Sequence, residues 1–397
     1  MTVFLGGGFA AKYLHGGGNF SVPLQWMLGL RRLKLDAIWL EHMPGEGNPN
    51  DDRRKIDNFR RQLRAHGLGE RYCLLYHEKP DSAHDLDAIR CIGMSKRELL
   101  DRLAGPNTLL NLSYSLHPPL LLKFERRIFC DLDPSEIIYW MTRMEMGQST
   151  HHEFWTIGLN VNAPDCKLLK MAPSTLPGMK AAAVQPSTLQ WKTFYPLVDT
   201  KLYQAKPRPR SPKFTTIGQW YWGGSVEVDG EFPDLSKKYA FEPYLDLPKR
   251  VPKAKFELAM HMGADDPDRA RLKQRGWKLV DPHRVATTPV TYRRYLASAL
   301  GEFTVIKGVD VSWKTGWLSD RAAAFLATGR PVITEDSGAG KYLPREGGFY
   351  FVRDVASTAT AAVENVLGNW SHQSRTARKC AVEVFDSVKN LRKILDL

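Results

Sequence analysis

The sequence predicts an α/β protein built from two doubly wound parallel sheets, each covered by helices. Three observations carry this. The chain opens as strand, glycine turn, helix, strand; a proline-rich stretch interrupts it at residues 172–213; and strand-like and helix-like segments alternate again from Phe214. At 397 residues the chain is longer than one ordinary hydrophobic core, so two domains fit its length.

TVFLGGG (residues 2–8) reads as a short buried strand running into a glycine loop. From Pro23, the residues Trp26, Met27 and Leu30 fall at i+3, i+4 and i+7, and Leu33 continues that helical face. Pro23 suits a first helical turn, where a missing N–H costs nothing. DAIWLE (residues 36–41) is the next strand, which completes a βαβ unit. In DDRRKIDNFRRQLRAHG (residues 51–67), Ile56, Phe59 and Leu63 share one face of a helix, and Arg53, Arg60, Arg61 and Arg64 crowd the other side. CLLY, TLLNLSY and IIYW supply further apolar segments, and IFCDLDP ends a strand-like run on Asp131 and Asp133.

Residues 172–213 hold seven prolines and close on the basic tract KPRPRSPK. Proline at this density removes amide donors and stiffens the chain, the character of a connection between domains. Beyond it, FTTIGQW, FELAM, WKLV, EFTVI, GRPVIT and GGFYFV are strand-like, with helical stretches such as RAAAFLAT between them. The expected organisation is an N-terminal domain over residues 1–171, the connection 172–213, a second domain over 214–370 and a helical tail over 371–397.

Composition narrows the function. A hydrophobic share of 43% and a charged share of 25% are those of a soluble globular protein, and no run is long enough to span a bilayer. The N-terminus lacks a charged region followed by an apolar one, so a cytoplasmic location is expected. Five widely spaced cysteines without a C-x-x-C pair favour reduced thiols over a zinc site, and no metal is expected. The formal net charge of +13 favours anionic partners: nucleotides, nucleic acid or an acidic membrane face.

The stretch of residues 302–333 is the most informative. A strand delivers Lys307 into a polar loop, a helix starts near Ser319, and the next strand follows Gly329, Arg330 and Pro331. Ser319 is a good N-cap, and the amides behind it make a place for anionic oxygens. Asp320 in the first turn suits the paired hydroxyls of a ribose, while Lys307, Lys314 and Arg321 could neutralise a diphosphate. Each residue alone has an ordinary structural reading; together they favour a nucleotide site. Trp220 and Trp222 could stack a base or a sugar, with core packing the expectation for at least one of them. Neither glycine cluster completes G-x-G-x-x-G, which argues against a nicotinamide dehydrogenase.

GGGNFSVPLQWMLGLRRL, DLDPSEIIYW, HHEFWTIGLNVNAPDC, GEFTVIK and TGWLSDRAAAFLATGRPVI resemble a family of bacterial and phage-borne glycosyltransferases. The resemblance implies the GT-B architecture, two Rossmann-like domains facing across a cleft. It also implies a nucleotide-sugar donor, UDP- or GDP-linked, held mainly by the second domain, an acceptor held by the first, and no obligatory metal or other cofactor. The donor set it points to is Gly16, Gly17, Gly18, Asn19, Thr216, Trp220, Lys307, Lys314, Thr315, Gly316, Trp317, Ser319, Asp320 and Arg321. Many GT-B enzymes carry a glutamate seven residues before the proline of a G-x-P-V-I ending; Ala324 stands there, and Asp320 is the nearest acid. Several inverting members place a general-base histidine in the loop after the first strand, the position of His15, with Asp131 and Asp133 as rival bases. Arg53, Arg60, Arg61 and Arg64, with His151 and His152, form the expected acceptor side. A polyanion such as hydroxymethylated phage DNA fits the charge; a small-molecule or membrane-associated acceptor, or a non-catalytic basic nucleic-acid-binding protein, is the alternative.

Overall fold

A computed structural model describes residues 1–78, 85–173, 182–222, 226 and 236–397. Residues 174–181 of the proline-rich segment lie outside the described residues. The chain divides into two compact units: Met1–Ile157 with Met171–Phe194 and Ser387–Leu397, and Gly158–Lys170 with Tyr195–Asp386.

The first unit is built on an eight-stranded sheet: β1 (Thr2–Gly7), β2 (Asp36–Pro44), β3 (Tyr72–His77), β4 (Arg90–Ile92), β5 (Asn107–Leu112), β6 (Arg126–Asp131), β7 (Glu153–Thr156) and β8 (Trp191–Thr193). The spatial order is β4-β3-β2-β1-β5-β6-β7-β8, and every pair is parallel except β3–β4. The central strands are continuous apolar runs because helices cover both faces, and Val3, Phe4, Leu5, Ile38, Trp39 and Leu40 are all buried. Trp39 anchors an aromatic cluster with Phe20 and Phe59 at ring-centroid distances of 5.0 and 5.4 Å.

The first helix spans Gly17–Arg32, so it begins six residues before Pro23, which lies inside it. The expectation that Pro23 marks a first turn is therefore corrected. Gly16 is the N-cap, and a Cβ there would stand 2.6 Å from the Tyr13 Cβ, which only glycine avoids. The lost helical N–H of Pro23 falls beside the carbonyl of exposed Asn19, within reach of water.

The second unit carries a six-stranded, wholly parallel sheet: β9 (Lys213–Gln219), β10 (Lys255–His261), β11 (Lys278–Leu279), β12 (Gly301–Phe303), β13 (Val332–Thr334) and β14 (Phe349–Phe351). Its order is β11-β10-β9-β12-β13-β14, the 3-2-1-4-5-6 winding of a dinucleotide-binding sheet. Phe214, Phe256, Trp277 and Phe303 pack its core.

Residues 195–213 belong to this unit although the sequence reads them as a connection. The prolines there donate no amide hydrogen bonds, but carbonyls of this segment, that of Pro207 included, accept from a buried arginine. Arg330 is 1% exposed and donates to the carbonyls of Lys206, Pro207 and Ala297. Arg378 likewise ties the carbonyls of Thr200, Tyr203 and Ala327.

The tail divides as well. The helix Ser387–Leu395 returns to the first unit and lies against Gly17–Arg32, where a Cβ on Gly29 would meet Leu391 Cδ1 at 2.5 Å and Ser387 Cβ at 3.0 Å. Gly29→Val should therefore overpack this contact and lower stability by about 1–3 kcal/mol in urea unfolding. Unchanged stability would mean the last helix is not held by this contact.

Candidate functional site

In an open parallel sheet, ligands bind beyond the carboxyl ends of the strands where the winding reverses. In the second unit that point lies between β9 and β12. The groups gathered there are Thr216 and Gly218 from β9, Glu302 from β12, Thr304 and Lys307 after it, Arg321 in the helix Asp320–Ala327, Glu335 after β13 and Lys237 in the short helix Lys237–Phe241.

Glu302 is the centre of this group. It is fully buried; its Oε1 accepts from Arg321 Nε and lies 3.1 Å from the Thr216 hydroxyl. Its Oε2 is buried and has no hydrogen-bond partner among the described residues. Arg321 also donates from Nη1 to the Ile217 carbonyl at 2.8 Å and from Nη2 to Thr304 Oγ1 at 3.1 Å. Three of its five N–H groups are thus spent on holding it at the strand ends, where it is ion-paired with Glu302.

Lys237 lies over Gly218, where a Cβ would be 3.9 Å from its ammonium nitrogen. Burial and then the neighbouring Arg321 hold this lysine well below its usual range, against the pull of Glu302 and Glu335. Lys307 completes the basic group, its ammonium 4.9 Å from the centroid of the Trp222 ring. Glu335 accepts from the Ile306 amide at 3.0 Å and the Tyr244 hydroxyl at 3.5 Å, yet burial pushes its carboxyl up to about 7. Ser319 caps its helix as expected, accepting from the Ala322 amide at 3.1 Å. Burial raises Asp320, the first residue of that helix, to about 6.

Other expected donor residues are used for structure. Lys314 is exposed, ion-paired with Asp165 at 3.5 Å, and its carbonyl accepts from Asn160 at 2.7 Å. Thr315 is fully buried and donates to Asp310 at 2.7 Å. Gly316 adopts φ +79° and would drive a Cβ to 2.2 Å from the Asn160 amide nitrogen. The Ser337 hydroxyl donates to the carbonyl of the half-buried Trp317. This loop is clasped by the segment Gly158–Lys170, which the sequence places in the other domain. Trp220 is core, 2% exposed and bonded to Asp268 at 2.9 Å, whereas Trp222 is 44% exposed. Thr216, fully buried, supports Glu302.

In the first unit, His15 is exposed on the loop between β1 and the helix Gly17–Arg32, and Gly17, Gly18 and Asn19 form that helix's first turn. The loop is pinned by Glu41, whose Oε1 accepts from the Ala10 and Ala11 amides at 2.6 and 2.9 Å while Oε2 accepts from the Trp39 indole at 2.9 Å. Asp131 is fully buried and accepts from Thr156 Oγ1 at 2.5 Å and the Asp133 amide at 2.8 Å. Those bonds tie strand ends together, and Asp133 serves as N-cap of the helix Pro134–Met141.

Arg53 and Arg60 line a cavity of about 590 Å³ with Asp52, Asp57, Glu78 and Arg90. Arg61 and Arg64 are exposed and lie outside it; Arg61 donates to Asn58 at 2.9 Å. His151 is an interior residue: Nδ1 donates to the Gly147 carbonyl at 2.8 Å and Nε2 accepts from Asn111 at 3.1 Å, so it stays neutral, its pKa pulled down to about 4 by burial. His152 is exposed and stands 2.7 Å from Arg127 Nη2.

No family model and no curated protein sequence matches the chain. Solved structures match it over its whole length. An alpha-glucosyltransferase in complex with UDP and a 13-mer DNA superposes with a TM-score of 0.55 at 9% identity, covering 100% of this chain and 99% of that one. OtsA gives 0.53 at 10% identity, covering 100% and 98%. Sucrose-phosphate synthase from Thermosynechococcus elongatus gives 0.51 at 10%, again covering 100% and 98%. The chain has the GT-B fold. At such identity the likeness concerns the path of the backbone, and the side chains must be argued from their own surroundings.

Lys237, Glu302 and Glu335 are missing from the sequence-derived set. Glu302 had a signal, an acid inside the apolar run EFTVI; Lys237 had none, standing 18 residues beyond β9. Glu335 also gives a pH test. Its folded value lies above its ordinary 4.5, so its contribution to stability is full below that and is lost as pH rises through about 7. Chemical denaturation should show Glu335→Gln gaining on the wild-type chain as pH rises from about 5 to about 8. A pH-independent difference would remove Glu335 from the list of shifted groups.

Proposed function

We propose that this chain is a glycosyltransferase that moves a sugar from a nucleotide-sugar donor to an acceptor hydroxyl. The observation that carries the reading is the group Lys237, Lys307 and Arg321 at the carboxyl ends of β9 and β12, in a fold shared end to end with sugar transferases. In the reaction the acceptor oxygen forms a bond to the anomeric carbon as the bond from that carbon to the diphosphate breaks. Negative charge then grows on the leaving diphosphate, and fixed cations in a partly dry site stabilise it. Three basic side chains can do this without a metal ion. A UDP-linked donor is favoured by the UDP held in the alpha-glucosyltransferase whose complex also contains DNA.

The proton of the acceptor hydroxyl goes to a base. His15, on the loop that Glu41 pins, is the proposed group, since a neutral imidazole accepts a proton near pH 7. The proposed acceptor is polyanionic. Support comes from the net charge of +13. Hydroxymethylated duplex DNA is the first acceptor to try.

A thermal-shift screen against nucleotide sugars tests the donor, because a ligand that prefers the folded chain raises the midpoint. One donor should stand out, and stabilisation by none would sink the proposal. Lys237→Ala should lower kcat/KM by about 10²–10³ with the fold retained, the loss typical of one donor to a developing oxyanion. His15→Ala should reduce kcat by about 10²–10⁴ and leave donor stabilisation as it was. Near-normal turnover in that variant would move the base elsewhere.

A further inference from the structure

Two stretches far apart in the chain carry basic residues and no acid. Residues 200–211 hold Lys201, Lys206, Arg208 and Arg210, and residues 370–382 hold Arg375, Arg378 and Lys379. The second unit lays them side by side. Arg208 donates to the Leu367 carbonyl at 3.2 Å, and its guanidinium is 6.0 Å from the Trp370 ring centroid. A Cβ on Gly329 would lie 3.6 Å from the Ala205 Cβ and 2.6 Å from Ser374 Oγ. Arg378 donates to the Tyr203 and Thr200 carbonyls at 2.6 and 2.8 Å. The segment 200–208 therefore runs antiparallel to the helix Trp370–Cys380. A hollow of about 380 Å³ lies there, lined by Ala205, Arg375, Arg378, Lys379, Val382 and Glu383.

The charge of this face is turned outward. Arg330 and Arg378 draw the carbonyls of Thr200, Tyr203, Lys206 and Pro207 inward. Lys206, Arg208, Arg375 and Lys379 are exposed, and no carboxylate of the described residues pairs with Lys206 or Arg375. The flanking acids are engaged: Asp199 is 1% exposed and accepts from the Lys201 and Leu202 amides, and Asp386 accepts from Thr200 Oγ1 at 2.5 Å. Glu383 is 4.0 Å from Lys379 with both side chains more than half exposed, a pair that salt screens. The platform is fixed to the amino ends of the strands. The Lys255 amide donates to the Pro212 carbonyl at 2.9 Å, and the Trp370 indole to the Leu300 carbonyl at 3.1 Å. Lys237, Lys307 and Arg321 stand at the opposite, carboxyl edge of the same sheet, so the transfer chemistry does not use these cations.

We infer that this face docks duplex nucleic acid through its phosphates, with Lys206 and Arg208 reaching from the segment and Arg375 and Lys379 from the helix. The inference rests on the transferase reading for its purpose, which is to hold a long acceptor away from the reacting group; its test needs no donor. Charge complementarity argues for the partner. A duplex carries one negative charge per about 1.7 Å of its axis, so successive phosphates meet cations spread along two rows. Arg375 and Lys379 stand about 6 Å apart along their helix axis. A single phosphate would leave most of the rows unused. A membrane surface would need an apolar face to bury. The large exposed apolar side chain at this hollow is Val382, 37% exposed. Contacts confined to phosphates bind without regard to base sequence.

Fluorescence anisotropy of a short labelled duplex, titrated with the full chain in the absence of nucleotide sugar, tests the surface. Affinity should fall steeply as salt rises. The slope of log K against log salt should become shallower by about 2 in Arg375→Gln combined with Lys379→Gln, and by about 1 in Lys206→Gln, one unit per lost phosphate contact. The helix pair should also weaken binding at least about tenfold at low salt. Arg97→Gln combined with Lys123→Gln removes equal charge from exposed positions of the first unit and should keep the wild-type slope. Nucleotide-sugar stabilisation should be unchanged in every variant. No duplex binding, wild-type slopes in the surface variants, or an equal loss in the first-unit control overturns the surface. Binding to vesicles of about one-third phosphatidylserine in place of DNA overturns it too. If a nucleotide sugar stabilises the chain and DNA fails these tests, the surface alone falls; if DNA behaves as stated and no nucleotide sugar binds, the transferase reading alone falls.

Discussion

Each sheet buries a carboxylate near the carboxyl end of a strand next to its first strand, and the geometry of both sites follows from how that charge is satisfied. An unpaired buried carboxylate is expensive by several kcal/mol, so donors must be brought to it. In the first unit they come from the glycine loop and the Trp39 indole, and Glu41 thereby decides where the His15 loop runs. In the second unit they come from Arg321 and Thr216, and Glu302 thereby decides where the guanidinium stands. Glu41 pairs in register with Gly7 of β1 on the side away from the winding reversal, and Glu302 with Thr215 of β9 on the side of it. On the proposed reading, neither acid touches a substrate, and each fixes a group that does.

The strands, the windings and the two-sheet plan were legible because they rest on local signals: apolar runs, glycine turns and helical periodicity. The start of the first helix was not. Pro23 looks like a first-turn residue until the Gly16 cap is seen to start the helix six residues before it. The proline-rich segment looked like a linker because its amides are missing, yet a linker's carbonyls can still be bound. Arg330 and Arg378 do that from far along the chain. The loop around Lys314 failed for the same reason, its partner Asn160 lying 154 residues away. Contacts at that range leave no trace in composition or spacing.

The histidines make the same point chemically. His151 was an open choice in sequence, and its two nitrogens prove to be occupied by a carbonyl and an amide, which fixes it as neutral structure. His42 and His77 sit 35 residues apart and were invisible as a pair until the sheet brought the ends of β2 and β3 together. Acids in apolar strands, by contrast, were in plain view: DAIWLE and EFTVI each break an apolar run with a charge, and that break was the available signal for Glu41 and Glu302.

The second unit adds a further consequence of burial. Lys237 is held below its ordinary range and Glu335 above its own, both chiefly because charge is costly there. The two shifts oppose the charged form of each residue, so fewer of the site's groups carry charge than its residues suggest, while the net charge stays the same. A diphosphate entering such a site does not merely meet cations. On the proposed reading it makes one, since its charge restores the proton of Lys237, and it keeps Glu335 protonated against the repulsion of two anions. The attraction is then strongest for a ligand that brings negative charge close to Lys237, Lys307 and Arg321 together, and a neutral sugar alone gains nothing from it. On the proposed reading, selectivity for an activated donor over free sugar follows from where the charges are buried as much as from how many there are.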